Sequence, residues 1–312
     1  MSTEKKQLYE QLSRLETEQR NPATMHVDLA EPREIVRLMS REDQEVAACV
    51  ESRSARIAEA IELGRLSLAR GGRLIYCGAG TSGRIGVVDA AECPPTFGTR
   101  PEQVVGLIAG GPEAMFRAQE GSEDRPENGV RDIAELDVTQ ADTVCGLAAS
   151  GRTPYVLGCL EEAGRRGAGT IMVCCVPREQ VDLRPAPDIL IDIPVGPEVI
   201  MGSTRLKSAT AQKMVCNMIT TGIMIRLGKV YENVMVDLML TNRKLEERAR
   251  RIVSMFTGHD YEKSSDLLHK AGGNVKIALV MGLADMDADG AVKLLEAHHG
   301  FIRAALKSIG KG

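Results

Sequence analysis

Short apolar runs recur along the chain, separated by longer stretches in which charged and polar residues break up the hydrophobic positions. They read RLIYCGA at 73–79, VVGLIAG at 104–110, DTVCGLAAS at 142–150, TIMVCCV at 170–176 and DILIDIPV at 188–195. Apolar and polar positions do not alternate within them. Continuous runs rich in Val and Ile fit strands buried on both faces, as in a parallel sheet. Between the third and fourth runs, PYVLGCLEEAGRRG at 154–167 opens on Pro154 and closes on glycine, the expected start and stop of a crossover helix. The pattern predicts an α/β fold, an open parallel sheet of Rossmann-like kind covered by helices.

The flanks carry a different period. Before residue 50 the pattern is helical and charged, interrupted by the loop TEQRNPAT. After residue 202, STRLKSATAQKMVCNMITTGIMIRLGK reads as a helix over about 203–228, with an N-terminal hydroxyl cap and an apolar second half. Such a helix must be buried, and a homodimer is the expected way to bury it. From 241 onward the chain is helical again, with breaks at TGHD, AGGN and ADMDADG that predict a small bundle of three or four helices. The expected division is an N-terminal helical segment at 1–50, a sheet domain at 51–240 and a C-terminal helical domain at 241–312.

Composition narrows the partners. The chain has 312 residues, 43% of them hydrophobic, enough for a substantial core, and a formal net charge of -4. No global positive field invites nucleic acid or an anionic membrane, and with 5 Tyr, 4 Phe and no Trp there is little for bases to stack on. The N-terminus MSTEKKQLYE has no apolar leader and no run approaches a membrane span, so a cytoplasmic protein is expected. The 8 cysteines lie mostly inside apolar runs without C-x-x-C spacing, as reduced buried thiols would. Cys93, in AECPPTF, could also be a nucleophile, although no histidine stands near it in sequence.

Directly after the first apolar run comes GAGTSG, with Gly78, Gly80 and Gly83 in the G-x-G-x-x-G pattern. A dinucleotide site needs an acid at the carboxyl end of the second strand to hold the ribose. Gly110 and Gly111 occupy that place, and Glu102 falls before the strand. Thr81 and Ser82 instead put two hydroxyls among loop amides at a helix start, which suits a monophosphate. The loop ASGRT after the third run has the same character, through Ser150, Gly151 and Thr153. Taken alone, Ser150 and Thr153 also read as a plain helix cap. Loops after neighbouring parallel strands share one sheet edge, so both could close on one phosphate.

These two loops resemble the sugar isomerase (SIS) domain, a phosphosugar-binding fold. The longer strings TEQRNP at 17–22, GAGTSGRIGVVDAAECPPTFG at 78–98, IAGGPEAMFRAQEGSED at 108–124 and GPEVIMGSTRLKSATAQK at 196–213 resemble the bacterial N-acetylmuramic acid 6-phosphate etherases, over nearly the whole chain. The resemblance implies cleavage of the lactyl ether at C3 of the sugar in cell-wall amino-sugar recycling, with no cofactor and no metal. It assigns Glu92 in DAAECPP as general acid on the ether oxygen and Glu123 in EGSED as the residue that handles the C2 proton. To act as an acid Glu92 should be buried or lie beside another carboxylate, for which Asp89 is the neighbour in sequence.

The residues alone leave these roles open. Glu92 also reads as a helix-end carboxylate, and Glu120, Glu123, Asp124 and Glu127 as an acidic solvated face; Glu120 shares a helical face with Glu123. Ser203, Thr204, Arg205 and Lys207 could complete a sugar-phosphate site, or simply begin a capped helix. His298 and His299 precede a glycine as a helix end does, and no histidine has an acid or thiol at ligand spacing. A phosphosugar isomerase, which moves the proton between C2 and C1, and a non-catalytic sensor resembling glucokinase regulatory protein are the alternatives; the latter is built from two such domains.

Overall fold

The computed structural model describes residues 15–181, 183–240 and 243–311. They divide into two compact units, residues 15–91 with Glu102–Thr220, and Glu92–Pro101 with 221–311. The helices expected to form a separate N-terminal segment belong to the first unit. Residues 1–14, which the expected N-terminal helical pattern includes, lie outside the described residues.

In the first unit, α1 (Pro32–Glu51) and α2 (Ser54–Ala69) precede the strands β1 (Leu74–Gly78), β2 (Val104–Ile108), β3 (Thr143–Leu147), β4 (Gly169–Cys174) and β5 (Ile189–Asp192). The sheet order is β2-β1-β3-β4-β5 and every pairing is parallel. The connections run through α3 (Gly80–Phe97), α4 (Pro126–Glu135) and α5 (Pro154–Arg165). β1 and β3 are buried at every position, which is why their sequences run apolar without alternation, whereas β2 is an edge strand buried only at its ends. The core beneath α5 is built from Ile75, Val144, Tyr155, Val156, Cys159 and Met172.

The expected strands are found, and each is shorter than its apolar run. β2 stops at Ile108 because Gly110 and Gly111 take φ of 88° and 72°, a left-handed turn that no strand continues through. β3 stops at Leu147, yet Ala148 and Ala149 beyond it stay buried, so hydrophobicity outlasts the hydrogen-bonded ladder.

α6 (Lys207–Arg226) differs from expectation in two ways. A carboxylate holds its first turn: wholly buried Glu198 accepts from Lys207 N at 2.9 Å, Ser208 N at 2.9 Å and Ser208 Oγ at 2.8 Å. Its apolar side is also largely covered within the chain, since Val215, Cys216, Ile219, Ile223 and Met224 are buried while Met218 and Ile225 stay exposed.

The second unit holds the hairpin β6 (Val230–Tyr231) and β7 (Val234–Met235), then α7 (Arg243–Thr257), α8 (Tyr261–Lys270), α9 (Val275–Ala284), α10 (Ala288–Ala297) and α11 (Ile302–Ser308). That is one helix more than the upper expectation. The turn at His298 to Gly300 ends α10, with His299 at φ 54° and Gly300 at 78°, but a further short helix follows it. Each expected break supplies a cap: Asp260 accepts from Lys263 N at 2.9 Å, Asn274 from Ile277 N at 3.0 Å and Asp287 from Gly290 N at 2.8 Å. Among the described residues no helix is long and apolar enough to cross a membrane.

Candidate functional site

In the sheet order the first strand's neighbours lead in opposite directions, to β2 on one side and β3 on the other. A ligand in such a sheet sits outside the carboxyl ends of the strands where this reversal occurs. The two hydroxyl-bearing loops leave those ends.

The glycines of the first loop are set by contact. A Cβ on Gly78 would lie 2.6 Å from Gly83 N, and one on Gly83 would lie 2.7 Å from Gly78 O, so strand and helix press together with no room for side chains. Gly80 takes φ 54° and faces open space, leaving the backbone approachable. Thr81 and Ser82 then fall in the first turn of α3, among its unsatisfied amides. In the second loop Gly151 makes the turn at φ 69°, its N donating to Ala148 O at 2.9 Å. Thr153 stands at the cap position of α5 without making a side-chain cap bond. The plain-cap reading of that hydroxyl therefore does not describe it.

A cavity of about 340 Å³ opens between these loops. Gly80, Thr81, Ser82, Ser150, Thr153, Thr204 and Glu123 line it together. Gly151 and Ser203 do not, and Lys207 is turned elsewhere: it is almost wholly buried, with Nζ 2.6 Å from Glu42 Oε2, which also accepts from Asn21 Nδ2 at 2.7 Å. Glu92 is not part of the lining. It is exposed on α3. Its neighbour Asp89 is buried and accepts from Asn217 Nδ2 at 2.6 Å and Thr220 Oγ1 at 3.3 Å; burial pushes its carboxyl above the usual range despite those bonds.

The lining also contains Thr17, Glu18, Arg84 and Glu120, which the sequence did not mark as site residues except for Glu120 as the rival base. Thr17 and Glu18 arrive through space, held by Gly202 N donating to Thr17 O at 3.1 Å. Thr17 is 1% exposed and its Oγ1 has no hydrogen-bond partner. A hydroxyl in this state is an unusual cost unless something else completes it. Three carboxylates, Glu18, Glu120 and Glu123, share the space with a single cation, Arg84, whose Nε donates to Met115 O at 3.1 Å. Donors for an anion must then come chiefly from hydroxyls and the amides at the start of α3. Glu123 is fixed by its backbone, its carbonyl accepting from Tyr155 N at 3.0 Å at the start of α5.

The thiols are structural in setting. None of the 8 forms a disulfide, and Cys93 is 2% exposed, too enclosed for a nucleophile open to substrate. Burial pushes the Cys174 thiol up to about 12 and those of Cys145, Cys175 and Cys216 well above their usual range.

Known proteins resemble this chain over most of its length. Residues 56–163 match the glucokinase regulatory protein N-terminal SIS domain. The chain is 53% identical over 301 residues to an N-acetylmuramic acid 6-phosphate etherase of Salinibacter ruber, covering 96% of each chain. It is 49% identical to one of Lactobacillus acidophilus, covering 96% of this chain and 99% of that one. A solved phosphoheptose isomerase from Neisseria gonorrhoeae aligns with 61% of this chain and 99% of its own, at 18% identity and a TM-score of 0.47.

Proposed function

Because the chain belongs to the N-acetylmuramic acid 6-phosphate etherases, we propose that the cavity at the carboxyl ends of β1 and β3 is where the lactyl ether of that sugar phosphate is cleaved. The enzyme is a carbon–oxygen lyase that yields N-acetylglucosamine 6-phosphate and D-lactate, in amino-sugar recycling. The observation that carries the placement is the convergence of Thr81, Ser82, Ser150 and Thr153 with Glu123 in one cavity.

In this reading the hydroxyls and the first amides of α3 hold the 6-phosphate, and the open-chain aldehyde at C1 acidifies the C2 hydrogen. Glu123 takes that proton. The C3–O bond then breaks, the lactyl oxygen leaves with a proton from Glu92, and a C2–C3 double bond remains conjugated to the aldehyde. Water adds at C3 and the proton returns to C2, so the step needs no net oxidant or reductant. Thr204 lies within reach as part of the lining, while Ser203, Gly151 and Lys207 do not line it.

Glu92 is exposed and does not line the cavity, and in this reading it acts from a second copy. The exposed stripe Val88, Ala91, Glu92 and Pro95 on α3 is the surface that would carry it there. In this reading the enzyme is a homodimer working in the reducing cytoplasm, where cysteines that form no disulfide belong. Mixing Glu92→Gln and Glu123→Gln proteins tests this. Each alone should release no lactate, whereas each mixed dimer regains one of its two sites, so a 1:1 mixture after random subunit exchange should show about one quarter of wild-type activity. No recovery after subunit exchange would refute completion in trans. Wild-type protein that releases no lactate, but isomerises or only binds sugar phosphates, would overturn the etherase reading itself.

A further inference from the structure

Gln212 stands on α6 among Ala211, Val215, Cys216 and Ile219, all buried apolar side chains, and is itself 1% exposed. Its Oε1 accepts from Ser82 Oγ at 2.7 Å, and its buried Nε2 has no partner. A buried amide N–H without an acceptor is rarer and more costly than a carbonyl with an empty lone pair. Rotating the amide by half a turn exchanges the two atoms at the same positions, and then Nε2 donates to Ser82 Oγ.

The two orientations have opposite consequences for the cavity that Ser82 lines. When Gln212 accepts, the hydroxyl proton is committed to it, and only oxygen lone pairs face an incoming phosphate. When Gln212 donates, the proton is released to point into the cavity as a hydrogen-bond donor to an anion. We propose that Gln212 is a positioning residue that fixes Ser82 as a donor to the phosphate by supplying an N–H to its oxygen. The proposal rests on the cavity being the phosphosugar site.

The probe is calorimetric titration with N-acetylglucosamine 6-phosphate, with steady-state kinetics beside it. Gln212→Met keeps the volume and removes the donor, so affinity should fall about ten-fold and KM should rise with kcat unchanged. Gln212→Glu, of the same shape, replaces the donor by a charged acceptor near the phosphate, and the loss should reach about a hundred-fold. In a Ser82→Ala background Gln212→Met should cost less than about two-fold further, because the group it positions is gone. That last readout separates positioning from support, which would lower affinity equally in both backgrounds.

Wild-type affinity in Gln212→Met, or equal losses with and without Ser82, overturns the proposal. If Gln212→Met does not fold, Gln212→Glu decides alone: affinity as in wild type refutes it. Wild-type affinity in Ser82→Ala itself instead overturns the phosphate placement on which the proposal stands.

Discussion

The two ends of the parallel sheet are built to opposite rules. At the amino end, Asp142 is 2% exposed and collects bonds from Arg73 N at 2.8 Å, Arg73 Nε at 3.0 Å, Arg73 Nη2 at 2.8 Å and Thr139 N at 2.8 Å. Asp188 does the same for β4, accepting from Thr170 N at 2.8 Å and Thr170 Oγ1 at 2.9 Å. At the carboxyl end, Thr17 Oγ1 is buried without a partner, and three carboxylates line a cavity beside one arginine. Buried polar groups normally find partners, so the open Thr17 hydroxyl on the cavity wall is a bond that a ligand could make. One end holds the strands together; the other is held ready.

That contrast is sharpest at the carboxylates. Glu123→Gln should lower kcat for lactate release by about 10²- to 10⁴-fold, the usual contribution of a general base, without lowering the melting temperature. Glu120→Gln, in the same cavity, should lose less than about ten-fold. If the two effects are reversed in a lactate assay, the base is Glu120.

The amino end should respond in stability instead. Asp142→Ala leaves the Arg73 guanidinium and several amides without their acceptor, at a cost of about 3 to 5 kcal/mol in urea unfolding, with sugar-phosphate affinity kept. Burial acts to raise the Asp142 carboxyl, but the bonds from Arg73 and Thr139 outweigh it and hold it below the usual carboxylate range. Its stabilisation is therefore complete above the unfolded value near 4 and is lost as the pH falls through the lower folded value. The deficit of the variant should shrink in acid; a deficit independent of pH would remove the ionic account.

Ser82→Ala and Ser150→Ala should each weaken binding of the sugar phosphate by about ten-fold or more, about 1.5 to 3 kcal/mol per hydroxyl to an ionised group, with unfolding unchanged. Calorimetry that finds wild-type affinity in both would move the phosphate out of this cavity.

How much of this was legible beforehand follows from the range of the interactions. The strands were readable because β1 and β3 are buried on both faces, but their ends were not, since Ala148 and Ala149 continue the apolar run past the last ladder bond. The hydroxyls at 81, 82, 150 and 153 were readable because each sits where a strand hands over to a helix. Thr17, Glu18 and Gln212 were not, because they reach the site from residues far away in the chain. Lys207 looked available for the same reason: nothing near it in sequence shows that Glu42 holds it. Glu120 and Glu123 were indistinguishable by spacing, and both line the cavity, so only chemistry separates them.

The central claim is that this cavity by itself binds the sugar phosphate and ionises it at C2, with the acid for the leaving oxygen brought from outside. The most direct measurement is incorporation of deuterium at C2 when Glu92→Gln protein is incubated with N-acetylmuramic acid 6-phosphate in deuterated water. Recovered substrate should carry deuterium at C2 with no lactate released, and Glu123→Gln should show neither. Lactate released by Glu92→Gln at the wild-type rate, or exchange that survives Glu123→Gln, would contradict the account.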